Sequence, residues 1–214
     1  MAIDIASWRI NTELRWLALI FVASLVMRVV WISYVQSVPI SDFASYDRQG
    51  WNISEGLGYV TEDGQPTAYW PPGYAAFLGG IYLFFGHSWL AGQIANVLLG
   101  SSVVLLTFMI GRLLLPPFQA RIATVLVAFS PSLIAYTSVL GTETLFSALL
   151  LLLLLIVVRH GPQPTMSASV LFGVVLGLTW WVRGTLLLYP GILIVAMLIS
   201  GVGIRRSART FAIV

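Results

Sequence analysis

The stretch TETLFSALLLLLLLIVV, residues 142–158, holds one acid at its second position and then no charge until Arg159. As an α-helix it is about 25 Å long at 1.5 Å per residue. That is close to the roughly 30 Å hydrocarbon thickness of a bilayer, so the stretch predicts a short transmembrane helix. Five further runs read the same way: Trp16 to Val35, Leu90 to Ile110, Ile122 to Leu140, Ala168 to Val182 and Thr185 to Ile204. The chain has 214 residues, 58% hydrophobic and 9% charged, against roughly a quarter charged in ordinary globular domains. These values exclude a soluble fold and predict an all-α, polytopic membrane helix bundle. It forms a single transmembrane domain over residues 1–214. The seven leucines Leu149 to Leu155 read as lipid-facing filler, and Gly173 with Gly177 as a close helix contact. Trp16 to Val35 lacks a small-residue cleavage site and reads as a retained span rather than a signal peptide.

All eleven basic residues are arginines. Arg9 and Arg15 precede the first span, and Arg112 and Arg121 flank the turn between the second and third. Arg159 follows the fourth, and Arg205, Arg206 and Arg209 follow the sixth. If spans alternate in direction, these arginines share one face, which the positive-inside rule makes cytoplasmic. The amino terminus is then inside and residues 36–89 form a loop outside. A basic surface for nucleic acid is excluded, because the arginines are dispersed rather than clustered on a polar face. With no cysteine and only His87 and His160, thiolate chemistry and histidine-rich metal sites drop out as well.

Five of the eight acids, Asp42, Asp47, Glu55, Glu62 and Asp63, lie in the outer loop against the single Arg48. Phe43, Tyr46, Gly50, Ile53 and Leu57 recur every three or four residues, predicting an amphipathic helix from about Asp42 that lies along the membrane surface. A turn-rich stretch through Gly56, Gly58, Gly64 and Pro66 runs to Pro71 and Pro72. Tyr74, Phe77, Ile81 and Phe84 then mark a second interfacial helix, ending at Gly86. On the first helix Asp47 points about 140° from Asp42 at 100° per residue, which assigns it to a solvated face.

Three ordered blocks of this loop carry a resemblance: Pro39-Ile40-Ser41-Asp42-Phe43-Ala44-Ser45-Tyr46, Glu55-Gly56-Leu57-Gly58-Tyr59, and Pro66-Thr67-Ala68-Tyr69-Trp70-Pro71-Pro72-Gly73-Tyr74. Together with Ser130-Pro131, Thr142-Glu143 and Trp181-Val182-Arg183-Gly184, they resemble the N-terminal half of the GT-C superfamily of membrane glycosyltransferases. Within it they are most similar to bacterial relatives of dolichyl-phosphate-mannose protein mannosyltransferases and aminoarabinose transferases. The resemblance implies transfer of a sugar, with inversion, from a polyprenyl-phosphate donor to an acceptor at the outer face of a bacterial plasma membrane. Family members are longer, with further spans, so the chain is expected to be either part of such a protein, with a C-terminal half or partner subunit to complete it, or a reduced form.

Under that implication Asp42 is the general base, although an Asp at a helix start also serves as a cap. Arg183, an outer arginine against the positive-inside trend, is the candidate for the donor phosphate, its alternative being a snorkelling helix end. Arg28, within the first span, is the second phosphate candidate, or snorkels, or pairs with Glu143. Tyr46, Tyr69, Trp70 and Glu143 form the acceptor and sugar pocket, the aromatics serving equally well as an interfacial belt. No cofactor is assigned. A divalent cation enters only because some distant relatives use one, and Asp42, Asp47 and Glu55 show no ligand spacing for it. The competing classes are a transporter or flippase component, which would place ionisable groups near the midplane of repeated halves, and a noncatalytic subunit.

Reporter fusions test the topology. Those at Arg121, Arg159 and Arg206 are expected in the cytoplasm, and those at Gly64 and Gly141 outside. A cytoplasmic signal at Gly64 overturns the arrangement.

Overall fold

The computed structural model describes residues 5–35, 37–61, 63–161, 164–185 and 191, with backbone only for 5–11. The expected sixth span, Thr185 to Ile204, lies outside the described residues apart from its first residue and Gly191, as do Glu62 and the last three arginines. The helices are α1 (Ile5–Tyr34), α2 (Asp42–Ser54), α3 (Gly73–Phe85), α4 (Trp89–Leu114), α5 (Pro117–Ala128), α6 (Pro131–Ala135), α7 (Thr142–His160) and α8 (Met166–Val182). A 3-10 turn, Tyr136–Ser138, extends α6. Among the described residues the fold is an all-α bundle. Residues Thr12–Tyr34 of α1, together with α4 and α7, are long and apolar enough to cross a membrane.

Helix α4 is the centre, packed against α1, α5 and α7. Its glycines sit at crossings: a Cβ at Gly92 would meet Leu78 of α3 and Leu140, one at Gly100 would meet Arg28 of α1 and Thr137, and one at Gly111 would meet Ala120 of α5. Small residues at helix crossings let backbones approach closely where lipid supplies no hydrophobic drive to associate.

The expected continuous span Ile122 to Leu140 is broken. Helix α5 ends at Ala128, and α6 with its 3-10 turn sets off at 46° to it. Proline has no N–H and clashes with the preceding turn, which holds the residue before it extended. Ser130, before Pro131, has φ −63° and ψ 119° accordingly.

The break leaves backbone carbonyls without helical partners, and side chains from other helices take them up. The Arg28 Nη1 donates to the Ala128 carbonyl at 3.0 Å and also to Ser24. At the far end of the 3-10 turn, Gln93 Nε2 donates to the Ser138 carbonyl at 2.9 Å, and Asn96 Nδ2 to that of Val139 at 2.8 Å. Arg28 is completely buried and neither snorkels nor pairs with Glu143. It sits where a cation complements the negative end of the α5 dipole.

Helix α2 matches its expected start, and Tyr46 and Gly50 are buried on its inner face, though Leu57 lies beyond the helix and is 63% exposed. Helix α3 is rotated from expectation: Tyr74, Ala75, Leu78 and Tyr82 face inward while Phe84 is exposed. It ends at Gly86, whose φ of 71° favours glycine. The leucine run is also corrected, since Leu153 and Leu155 belong to the core with Ile156 and Val175. A Cβ at Gly177 would meet nothing, so no described helix packs on that glycine.

Asp47 is not solvated. Its carboxylate accepts from Tyr82 Oη at 2.5 Å and Trp89 Nε1 at 2.9 Å, and lies 3.0 Å from His87 Nε2. His87 stacks on Trp51 at 5.0 Å. The rotation away from Asp42 is as read; the side it faces is covered by the α3–α4 junction instead of water. Asp47→Ala removes one acceptor from three donors and is expected to lower stability by about 2–4 kcal/mol, whereas Leu57→Ala should change it by less than about 0.5 kcal/mol. Thermal unfolding of the purified variants in detergent checks both; equal midpoints would remove Asp47 from the fold's anchors.

Candidate active site

Asp42 is the first residue of α2, and Ser41 occupies the cap position without a side-chain cap bond. Ser41 has φ 52°, a left-handed backbone uncommon for residues other than glycine. Ser41 Oγ donates to the Asp42 carboxylate at 3.5 Å. The acid stands in the first turn of α2 and borders a cavity.

That cavity is about 590 Å³ and is lined by Asp42, Ser45, Arg48, Tyr59, Asp63 and Trp70 among others. Gln49 shapes its wall. Its side chain grips the Val60 backbone twice, Nε2 donating to the carbonyl at 2.5 Å and Oε1 accepting from the amide at 3.1 Å. This folds the turn-rich stretch back over α2, and a bridge between Val60 and Pro66 closes its end. Tyr59 Oη donates to the Trp70 carbonyl at 3.2 Å, and Tyr69 packs edge-on to Trp70 at 4.9 Å.

A second, more apolar recess of about 400 Å³ shares Tyr59, Thr67, Tyr69 and Trp70 with the first and continues to Pro71, Pro72, Trp180, Trp181 and Gly184. The aromatic ridge therefore stands between a polar chamber holding Asp42 and an apolar one running to the end of α8. Arg183 caps that end. Its Nη1 lies 3.7 Å from Glu143 Oε1 and its guanidinium 5.7 Å from the Phe146 ring. Glu143 enters from the first turn of α7, and its Oε2 is buried without a hydrogen-bond partner.

Tyr46 sits at the junction, edge-on to Tyr74 at 5.6 Å and tilted against Trp70 at 6.5 Å. Burial pushes its hydroxyl pKa up, and the nearby charges of Asp42, Glu143 and Tyr59 add to the effect while Arg183 opposes it. The phenol therefore stays protonated through the neutral range as a hydrogen-bond donor.

Of the residues singled out from sequence, Asp42, Tyr46, Tyr69, Trp70, Glu143 and Arg183 converge on this region, and Arg28 serves the break in the α5–α6 pair. Sequence reading missed Arg48, Thr61, Asp63 and Thr67 on the chamber wall and Trp180 in the recess. A loop that folds back through a glutamine clamp leaves no periodic signal.

A family profile described as dolichyl-phosphate-mannose-protein mannosyltransferase matches residues 70–214. No curated protein and no solved structure gives a significant match. The matched stretch begins at Trp70 and includes Glu143 and Arg183, with Asp42 and the first two loop blocks lying ahead of it. With about two thirds of its residues covered by that profile and its apolar helices in place, the chain belongs to this GT-C family of multi-pass membrane glycosyltransferases.

Proposed function

We propose that the protein transfers a sugar from a polyprenyl-phosphate donor to a hydroxyl-bearing acceptor at the outer face of a bacterial plasma membrane, with Asp42 as general base and Arg183 at the donor phosphate. The observation that carries this reading is the pair of adjoining recesses, a polar one bordered by the Asp42 carboxylate and a more apolar one that reaches the end of α8, the helix that Arg183 follows. A polyprenyl-linked sugar has the matching duality: a polar headgroup, a phosphate and a hydrocarbon tail.

The chemistry assigns a task to each group. The acceptor hydroxyl gives its proton to the Asp42 carboxylate as its oxygen bonds to the anomeric carbon. The bond from that carbon to the phosphate oxygen breaks, and the electron pair leaves with the polyprenyl phosphate. Arg183, a planar fork of donors, takes up the charge that develops there. Glu143 orients the guanidinium, and Tyr46 donates from its protonated hydroxyl. Attack from the Asp42 side, opposite the phosphate, inverts the anomeric centre. Tyr69, 80% exposed, and Trp70 offer flat faces for the sugar.

The placement of charge supports the orientation. Arg121 pairs with Glu13 and lies over Trp16, so the start of α1 and the α4–α5 turn share one end of the bundle. Both chambers lie at the other end, which the arginine count makes the outer one, with the amino terminus inside.

Asp42→Asn keeps the shape but cannot take a proton near neutral pH. Transfer should fall at least about 100-fold, with polyprenyl-phosphate binding unchanged; wild-type turnover at saturating donor would return Asp42 to a purely structural role. Arg183→Lys tests the phosphate. Loss of a contact made in the transition state lowers kcat together with kcat/KM, by about 10-fold or more given the lost fork geometry. A snorkelling arginine predicts no change, and unchanged constants in donor-concentration series would exclude the assignment.

A further inference from the structure

The Trp70-Pro71-Pro72-Gly73 stretch meets the Trp181-Val182-Arg183 stretch through one contact. A Cβ at Gly73 would lie 2.6 Å from both the carbon and the oxygen of the Trp181 carbonyl group and 2.7 Å from the Val182 nitrogen. All three are backbone atoms of the last peptide of α8, immediately before Arg183, so no rotamer change can relieve the overlap. Nor is glycine there for its backbone freedom: Gly73 opens α3 without a positive φ. Close approach is its only structural reason. Pro72 fixes the chain just before it and accepts the Ala76 N–H at 2.8 Å.

A second side of α3, about 120° around the helix at 100° per residue, is built the same way. A Cβ at Gly79 would lie 2.9 Å from Ile53 Cγ2 and 3.0 Å from the Gly50 carbonyl oxygen, and one at Gly50 would lie 2.8 Å from Leu78 Cβ. Helix α3 is therefore sandwiched between α2, which starts at Asp42, and the end of α8, which leads into Arg183. Glycines reduce the spacing on each side.

We propose that Gly73 and Gly79 are positioning residues that make α3 a spacer, setting the separation between Asp42 and Arg183. The proposal rests on the transfer reading above. Carbon contacts are favourable at about 3.5–4.0 Å, so a methyl at Gly73 must drive the α8 end back by about 1 Å. A displacement of that size away from the reacting atoms can cost about 100-fold in rate.

The test measures steady-state sugar transfer from a polyprenyl-phosphate donor by the complete protein in lipid vesicles. Gly73→Ala is expected to lower kcat about 10- to 100-fold with the donor KM within about twofold. Gly80→Ala, on the same helix where a Cβ meets nothing, keeps both constants. Combined with Arg183→Lys, Gly73→Ala should cost less than about threefold further, because a displaced lysine has little left to lose. A merely destabilising change would instead multiply through.

If Gly73→Ala does not insert, Gly79→Ala carries the test, since its methyl meets the Gly50 carbonyl oxygen and Ile53 and so moves α2; it is expected to lower kcat about 10- to 100-fold with the donor KM within about twofold. Wild-type constants for Gly73→Ala, full additivity with Arg183→Lys, or wild-type constants for Gly79→Ala would each overturn the spacer. A wild-type protein that transfers nothing would instead overturn the transfer reading and this inference with it.

Discussion

A helix interrupted inside an apolar bundle frees backbone carbonyls that hydrocarbon cannot hydrogen-bond, and satisfying them is the constraint around which this bundle is organised. Arg28 from α1 meets the Ala128 carbonyl at the interruption, and Gln93 and Asn96 from α4 meet the Ser138 and Val139 carbonyls where the broken segment ends. These bonds draw α1, α4 and the 3-10 turn together, and the chain then turns at Gly141 into α7 with Glu143 in its first turn. Gly141 stands close to both that carboxylate and Phe43 of α2, leaving no free room for a larger residue. The position of Glu143, and through its ion pair that of Arg183, thus follows from how the broken helix is stitched to its neighbours.

The site sits between elements of different character. Helix α3 is the layer between the polar chamber's helix and the end of the membrane-length bundle, and its buried tyrosines connect the two. Tyr74 shares a hydrogen bond with Asn96, one of the residues serving the break, and its ring supports Tyr46. The aromatic ridge of Tyr59, Tyr69 and Trp70 rests on this layer. Two recesses of unlike polarity therefore arise from one fold of the loop over one short helix.

Much of the architecture was legible in the sequence because periodicity and apolar run length are local properties. The starts of α2 and α7, the end of α3 at Gly86 and the short α8 all follow from such signals. Residues whose environment depends on partners far along the chain were not legible. Asp47 was taken for a solvated acid because its donors lie at positions 82, 87 and 89. The sequence offers Arg28 to the donor phosphate, to snorkelling or to Glu143, because nothing local reveals a freed carbonyl at Ala128. The inward face of α3 was missed by about one residue, since Tyr82 and Phe84 weigh alike in an aromatic stripe. Leu153 could not be separated from its six identical neighbours. For the candidate site, residue types and motif order located Asp42, Glu143 and Arg183 at one end of the bundle, while the chamber walls needed the loop's actual path.

The buried carboxylate of Asp47 also bears on the order in which the chain assembles. Its donors emerge 35 to 42 residues after it during synthesis, so α2 cannot settle until the start of α4 has been made. Until then the acid is unpartnered, and the cost of dehydrating an unpaired charge holds α2 in water. The thirteen-residue apolar α3 lies between the acid and the start of α4, so the same three bonds that anchor Asp47 also close the chain around that helix.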